Sequence, residues 1–193
     1  MNFLTDFADQ AVILPLGLAV ALALAVLGWR RGALAWLLTM CATLGAMLVL
    51  KILVGVCAAP LAGLGLRSPS GHTAAAAMVY GGLAALLGRT GIGRVILIAA
   101  AIALLIGLTR IGLGAHTLPE VFLGGLVGCA GAVLLVRAAG EPPARLHIGR
   151  LAAIVVAVVI LTHGFHLQAE PRIQDFSRLY GWLIPGCAVQ ARP

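Results

Sequence analysis

The sequence predicts an all-α membrane protein, a bundle of about six transmembrane helices in one domain over residues 1–193. Hydrophobic residues make up 62% of the 193 residues and charged residues only 10%, whereas soluble domains are about 45–50% apolar and about 25% charged. The mean hydropathy is +1.09. Long apolar runs alternate with short segments that carry arginine, glycine or proline. These observations exclude an ordinary cytosolic globule, a disordered chain and a coiled coil.

Each predicted span is an apolar run that ends at charged or turn-forming residues, such as Arg30-Arg31 after the first and Arg89 after the third. A spanning helix takes about 20 apolar residues. The predicted spans cover residues 11–29, 33–56, 73–88, 95–110, 119–137 and 151–167. The third to fifth are short for a bilayer, so we expect them to extend into flanking residues. Residues 168–193 form a polar outward-facing tail, for which the sequence predicts only an interfacial role.

The arginines predict the orientation of the bundle. The net charge is +7, and every cation except Lys51 is an arginine. In a soluble protein this charge would suggest nucleic acid, but here the arginines lie between apolar runs, so we expect no nucleic-acid partner. One face of the bundle holds Arg30, Arg31, Arg89, Arg94, Arg137, Arg145 and Arg150 against Glu141 alone. Because cytoplasmic loops carry the positive excess, both termini should face outward, as in a bacterial inner membrane.

No cleaved signal peptide is expected at the start of the chain. Residues 1–10 contain Asp6 and Asp9 and no lysine or arginine, whereas a secretory signal needs a basic first segment. The first span is therefore expected to stay in the protein.

Three places interrupt the apolar pattern, and the predicted topology puts all of them on the outer face. They are Lys51, the segment 67–73, and the turn with Arg110, His116 and Glu120. An ionisable residue within a membrane span is costly and indicates function. These residues are therefore the candidate site.

The residue types at this site suit phosphate chemistry. Ser70-Gly71-His72 stands where a helix begins, and free N–H groups at a helix start bind anions. Lys51, Arg67 and Arg110 add positive charge. With two histidines, one can attack phosphorus while the other protonates the leaving oxygen.

Other roles for these residues stay open. Glu120 lies four residues after His116, where it can hold the imidazole in one tautomer, but it also completes a capping pattern with Thr117. Lys51 can extend to the membrane interface, and Ser70 can be a simple helix cap. His72, His116 and Glu120 could hold zinc, although the surrounding cations oppose a metal ion.

Two motifs resemble signatures of the type 2 phosphatidic acid phosphatase superfamily. Pro69-Ser70-Gly71-His72 resembles its second signature, and Arg110, His116 and Glu120 at their spacing resemble its third. The resemblance implies a lipid phosphatase without metal or other cofactor, with His116 as the nucleophile, Glu120 as its orienting acid and His72 as the general acid. It implies that Lys51, Ser70, Gly71 and Arg110 hold the phosphoryl oxygens.

The chain departs from that family pattern at two places. The first signature usually has Arg-Pro after Lys and six residues, but Ala58 and Ala59 stand there. We expect Arg67 to supply the missing charge. The second departure is Glu120, where the family usually has aspartate.

The outward site and the absence of room for a soluble domain favour a membrane lipid phosphate as substrate. Polyprenyl diphosphate is slightly preferred over phosphatidate, phosphatidylglycerophosphate and lipid A. A lipid-binding relative without hydrolysis and a phosphotransferase are the alternatives. The sequence predicts no oligomeric state. Cys57 and Cys187 are predicted to form a disulfide, and Cys41 and Cys129 to pack within spans.

Overall fold

The computed structural model describes residues 2–57, 61–88, 91–167 and 169–180. These ranges are helical apart from short connections and contain no strand, which confirms the all-α prediction. The helices are α1 (Asn2–Asp6), α2 (Gln10–Val26), α3 (Arg30–Val56), α4 (Gly71–Gly88), α5 (Ile92–Gly112), α6 (Leu118–Ala139), α7 (Ile148–Thr162) and α8 (Ala169–Tyr180), with a 3-10 turn at Ala62–Leu64. The sequence features assigned to Ala58, Ala59, Arg89 and Cys187 lie outside the described residues.

Four segments of the described chain are long and apolar enough to cross a membrane, and they indicate an integral membrane protein. They are Asn2–Val26, Arg30–Val56, Ile92–Gly112 and Leu118–Ala139. The last two extend beyond the predicted spans 95–110 and 119–137, as their short apolar runs led us to expect. Helices α4 and α7 have 18 and 15 residues, and the six-span arrangement stays a prediction.

The sixth predicted span ends earlier than the sequence suggested. Helix α7 stops at Thr162 rather than at residue 167. Gly164 has φ +88°, a left-handed conformation that glycine adopts readily and that ends a helix. The tail also does more than lie at an interface, because helix α8 packs against α3.

Helix α4 is the centre of the bundle and contacts α5, α6, α3 and α2. Its small side chains let neighbouring backbones approach closely, as is usual between membrane helices. A Cβ atom at Gly128 of α6 would lie 2.4 Å from the Ala74 carbonyl oxygen, and one at Gly124 would lie 2.3 Å from the Ser70 carbonyl oxygen. Glycine at these positions therefore sets the distance between α4 and α6.

The alternating direction of the helices gathers the polar residues at one end of the bundle. Lys51 lies near the end of α3, His72 near the start of α4, Arg110 near the end of α5 and Glu120 near the start of α6. The same end holds the start of α2. Residues that are far apart in the sequence therefore meet in one polar site.

Candidate active site

The first turn of α6 holds the loop that precedes α4. Thr117 Oγ1 donates to the Gly65 carbonyl (2.6 Å). The Arg67 and Ser68 N–H groups donate to Glu120 Oε1 at 2.6 and 2.8 Å. The loop with the second motif is thereby fixed against the helix that carries the third motif.

The His116 imidazole pairs with the Glu120 carboxylate. His116 Nδ1 lies 3.0 Å from Glu120 Oε2, and the two side chains are only 6% and 4% exposed. A carboxylate at Nδ1 favours the tautomer in which Nδ1 carries the proton. Nε2 then has a free lone pair, which is what a nucleophile needs.

Glu120 also closes the N-terminus of α6. Its Oε2 accepts from the Thr117 N–H (3.0 Å), and Thr117 and Glu120 form a capping box. The two readings that the sequence left open for Glu120 therefore coexist. Helix capping fixes the carboxylate, and the fixed carboxylate orients His116.

The pKa of His116 is lowered from its ordinary value. Burial is the largest cause, and the positive charges of Lys51 and Arg110 act in the same direction, whereas the hydrogen bond to Glu120 opposes them. The site therefore favours the neutral imidazole, which is the nucleophilic form.

Lys51 is buried, 7% exposed, rather than extended to an interface. Its Nζ donates to Ser68 Oγ (3.0 Å) and forms an ion pair with Glu170 of α8. Ser68 Oγ donates to the other oxygen of the same carboxylate. A Cβ atom at Gly71 would lie 3.2 Å from Lys51 Cε, so Lys51 lies against the first turn of α4.

Glu170 was not predicted from the sequence as part of the site. Burial raises the pKa of this carboxyl, but the charge and hydrogen bond of Lys51 and the hydrogen bonds from Ser68 and Gln174 outweigh burial, so the pKa is lowered. Glu170 is therefore an anion held by the predicted phosphate-binding lysine. The amphipathic pattern of the tail hinted at a helix, but nothing in it indicated which residue meets Lys51.

Arg110 offers an unused hydrogen-bond donor. Its Nη1 donates to Thr5 Oγ1 (3.3 Å). Within the described ranges, Arg110 Nε is buried without a hydrogen-bond partner. Buried polar groups are nearly always paired, so this N–H is a candidate contact for an anionic ligand.

A cavity of about 520 Å³ joins most of the predicted residues. Its lining includes Arg67, Ser68, His72, Arg110, His116, Glu120 and Glu170. Lys51 is not among the lining residues, but it contacts two of them, Ser68 and Glu170. Ser70 is fully buried; its Oγ contacts Thr73 Oγ1 (2.9 Å) and accepts from the Thr73 N–H (3.5 Å), which is the contact of a helix cap. Within the described ranges, no three His, Cys, Asp or Glu side chains are grouped so that they could hold a metal ion.

His72 lies between this cavity and a smaller one. The second cavity, of about 240 Å³, is also lined by Asp6, Asp9, Arg110 and His166. His72 Nε2 is 3.6 Å from Asp9 Oδ2. Like Glu170, Asp9 is a carboxylate near the site whose partner the sequence did not indicate.

The comparison with protein families decides where the chain belongs. The sequence model of the PAP2 superfamily matches residues 32–142, more than half of the chain. The chain belongs to the PAP2 superfamily. No curated protein and no solved structure matches it.

PAP2 membership supports a phosphatase-type activity and confirms the family predicted from the two motifs. The matched range contains Lys51, His72, His116 and the other predicted site residues, all of which lie at one end of the bundle. Asp9 and Glu170 lie outside the matched range.

The cysteines fall into two groups. Cys41 and Cys129 are free, in agreement with their predicted place within helices α3 and α6. Cys57 is disulfide-bonded. Its predicted partner, Cys187, lies outside the described residues.

Proposed function

We propose that this PAP2 protein is a metal-independent phosphatase for a membrane lipid phosphate or diphosphate, acting through a phosphohistidine on His116. The buried pair of His116 and Glu120, 3.0 Å apart in a cavity shared with His72 and Arg110, is the observation that carries the proposal. An oriented imidazole beside a cationic donor, Arg110 Nε, that has no partner among the described residues is what attack on a phosphate requires.

Phosphate binding falls to the cations around the cavity and to the start of α4. Arg110 Nε has no hydrogen-bond partner in the part of the chain that the structure describes, and Arg67 lines the cavity, where it can supply the charge of the arginine missing from the first motif. Lys51 is held by Glu170. A phosphate that binds Lys51 therefore has to replace the Glu170 carboxylate as the partner of the lysine.

The reaction has two steps. His116 Nε2 attacks phosphorus, and the bond to the leaving oxygen breaks as His72 gives that oxygen a proton. Water then attacks the phosphohistidine, returns a proton to His72 and releases inorganic phosphate. Glu120 stabilises the positive charge that His116 acquires on attack, as the carboxylate of a catalytic triad does.

A lipid substrate fits the surroundings of the site. An apolar groove of about 270 Å³ between α5 and α6 is lined by Leu104, Leu118, Val121 and Phe122, among others. Leu118 and Val121 lie in the same first turn of α6 as Glu120, so the groove runs along the helix that carries this carboxylate. It can take an acyl or prenyl chain whose phosphate lies in the cavity.

The predicted topology puts the cavity at the outer membrane face, because the arginine-rich loops lie at the other end of the bundle. Among outward-facing lipid phosphates we favour polyprenyl diphosphate over phosphatidate, phosphatidylglycerophosphate and lipid A, because the described helices form a compact bundle and the cavity is predicted to face outward.

Phosphate release by the detergent-purified protein in EDTA tests this function. The panel holds the four lipids, with His116→Ala as the control. We expect release from at least one lipid, unaffected by EDTA and abolished in the variant. Release that needs a divalent cation, or that survives in His116→Ala, would overturn the mechanism.

A second candidate function is lipid phosphate binding without hydrolysis, and the absence of the first-motif arginine from the sequence after Lys51 favours it. In that case the folded protein would bind the same lipids but release no phosphate. Transfer to an added lipid alcohol, measured in the same assay, would instead identify a phosphotransferase.

A further inference from the structure

We infer that Asp9 positions His72 for proton transfer, so that the two residues act as a proton-delivering pair opposite His116 and Glu120. This inference rests on the proposed phosphatase function and adds a residue to it. Asp9 lies 111 positions before Glu120, outside the part of the chain that matches the family.

The Asp9 carboxylate is fixed by the backbone. Asp9 is only 6% exposed. Its Oδ1 accepts from the Ala11 N–H (2.8 Å), which caps α2, and from the Leu167 N–H (3.0 Å), which follows α7. With Oδ1 occupied, Oδ2 remains for other partners.

Oδ2 faces two histidines. His72 Nε2 and His166 Nδ1 each lie 3.6 Å away. These are ion-pair distances, and catalytic hydrogen bonds are often this long before substrate binds. His166 is 58% exposed and is also 3.8 Å from Asp6, whereas His72 lines the large cavity.

The charged groups around His72 come from several elements. Asp9 lies at the start of α2, Asp6 in α1, Arg110 in α5 and His166 beyond α7, and all of them line the smaller cavity with His72. Among the described residues, Asp9 is the carboxylate within 4 Å of the His72 ring. It lies beside one ring nitrogen, Nε2, which leaves the other, Nδ1, to serve the reaction.

With Asp9 and His72 as a pair, every proton of the reaction is accounted for. The His72 imidazolium carries a proton on each ring nitrogen, with Nε2–H directed to Asp9. As phosphorus–oxygen cleavage proceeds, Nδ1–H passes to the leaving oxygen and His72 becomes a neutral imidazole that keeps its Nε2 proton. When water attacks the phosphohistidine, Nδ1 takes one proton from it, which restores the imidazolium.

Substrates with different leaving groups can distinguish a role of Asp9 in proton delivery from a purely structural role. An alkyl alkoxide is a poor leaving group and needs a proton, whereas nitrophenolate leaves without one. We therefore expect Asp9→Asn to lower kcat by about 10- to 100-fold on the lipid phosphomonoester of the panel that the protein hydrolyses fastest, whose leaving group is an alkoxide; this is a part of the usual effect of acid catalysis. On nitrophenyl phosphate the loss should stay within about threefold. Asparagine caps a helix as well as aspartate does, so the fold of α2 is kept.

Matched variants complete the experiment. Asp6→Asn removes a neighbouring carboxylate that does not contact His72, and we expect it to behave as the wild type. His72→Gln should show the same leaving-group dependence as Asp9→Asn. The double variant should be no slower than His72→Gln, because residues that act as a unit have non-additive effects.

Equal losses on both substrates in Asp9→Asn, or additive losses in the double variant, would overturn the inference while leaving the phosphatase in place. A wild-type protein that turns over neither substrate would overturn the proposed function and the inference with it. Nitrogen NMR of labelled histidine in the wild-type protein is a check that needs no variant. We expect His72 to carry its proton on Nε2 when neutral, and a neutral ring protonated on Nδ1 would contradict the pair.

Discussion

In the proposed mechanism His116 attacks phosphorus as a neutral imidazole, so we expect the balance of charges around this one ring to control the rate. Burial and the cations Lys51 and Arg110 lower its pKa, and Glu120 raises it. The net direction is downward from the ordinary value of about 6.5. The nucleophile therefore stays neutral at a pH where an exposed histidine is already charged.

This balance predicts the pH dependence of the reaction. The acid limb of kcat/KM should lie below about pH 6.5, because the neutral form persists down to the lowered pKa. Glu120→Gln removes the carboxylate that raises the pKa of His116, so the acid limb of kcat/KM should move to lower pH. We also expect kcat to fall by about 10²–10⁴-fold. Glu120→Asp keeps the charge and should retain most of the activity. An acid limb above pH 6.5 that does not move in Glu120→Gln would contradict this account.

Glu170 gives a second prediction for a single residue. In Glu170→Gln the buried Lys51 loses its anionic partner, and an unpaired buried charge is costly. Substrate phosphate no longer competes with a carboxylate, so KM should fall by about three- to tenfold, while the melting temperature of the empty protein should fall as well.

The control for Glu170→Gln is Asp175→Asn, because Asp175 is exposed on the same helix. This variant should leave KM and the melting temperature unchanged. A rise in KM in Glu170→Gln would mean that Glu170 helps to bind the substrate, contrary to the proposal.

Among the helices, the contact between α4 and α6 has the largest effect on the site. It holds the start of α4, with His72, against the start of α6, with Glu120. The Ser70 N–H donates to the Glu120 carbonyl (3.0 Å), and Gly124 lies one turn further along α6. The separation of the two helices at this point therefore sets the distance between the two catalytic motifs.

Gly124→Ala tests this contact. The added Cβ would lie 2.3 Å from the Ser70 carbonyl oxygen, and a backbone atom cannot move aside as a flexible side chain can. Overpacking of this kind costs about 1–3 kcal/mol. We expect a lower melting temperature and reduced phosphate release.

Gly45→Ala in α3 is the matched control for Gly124→Ala. Nothing lies within 4 Å of its added Cβ, and alanine is the better helix former. This variant should be as stable as the wild type or slightly more stable. Equal behaviour of the two variants would show that the α4–α6 contact is not tight.

In the molecule as a whole, composition and apolar runs predicted the helical bundle, because burial in lipid requires long apolar helices. Motif spacing predicted Lys51, His72, His116 and Glu120 as a site, since alternating helices bring their ends together. The predicted sixth span continued to residue 167 because Phe165 and Leu167 are apolar, but the helix ends at Thr162 and Gly164 turns the chain.

Tertiary contacts supplied the rest of the site. Asp9 and Glu170 carry no motif, and each meets its partner only through the packing of a terminal segment onto the bundle. The sequence also could not show that Ser70 is buried against Thr73 while Ser68 contacts Lys51. Which of two nearby serines faces a cavity depends on how the loop is held, and that loop is held by Glu120.

Trapping of the phosphoenzyme tests the central claim most directly. Protein in EDTA is mixed with lipid radiolabelled in its phosphate, quenched within milliseconds in alkali, digested and sequenced by mass spectrometry. We predict an acid-labile, alkali-stable phosphate on His116. More of this phosphohistidine should accumulate in His72→Gln if that variant slows its hydrolysis more than its formation. Steady phosphate release with no label on His116, or label on another residue, would contradict it.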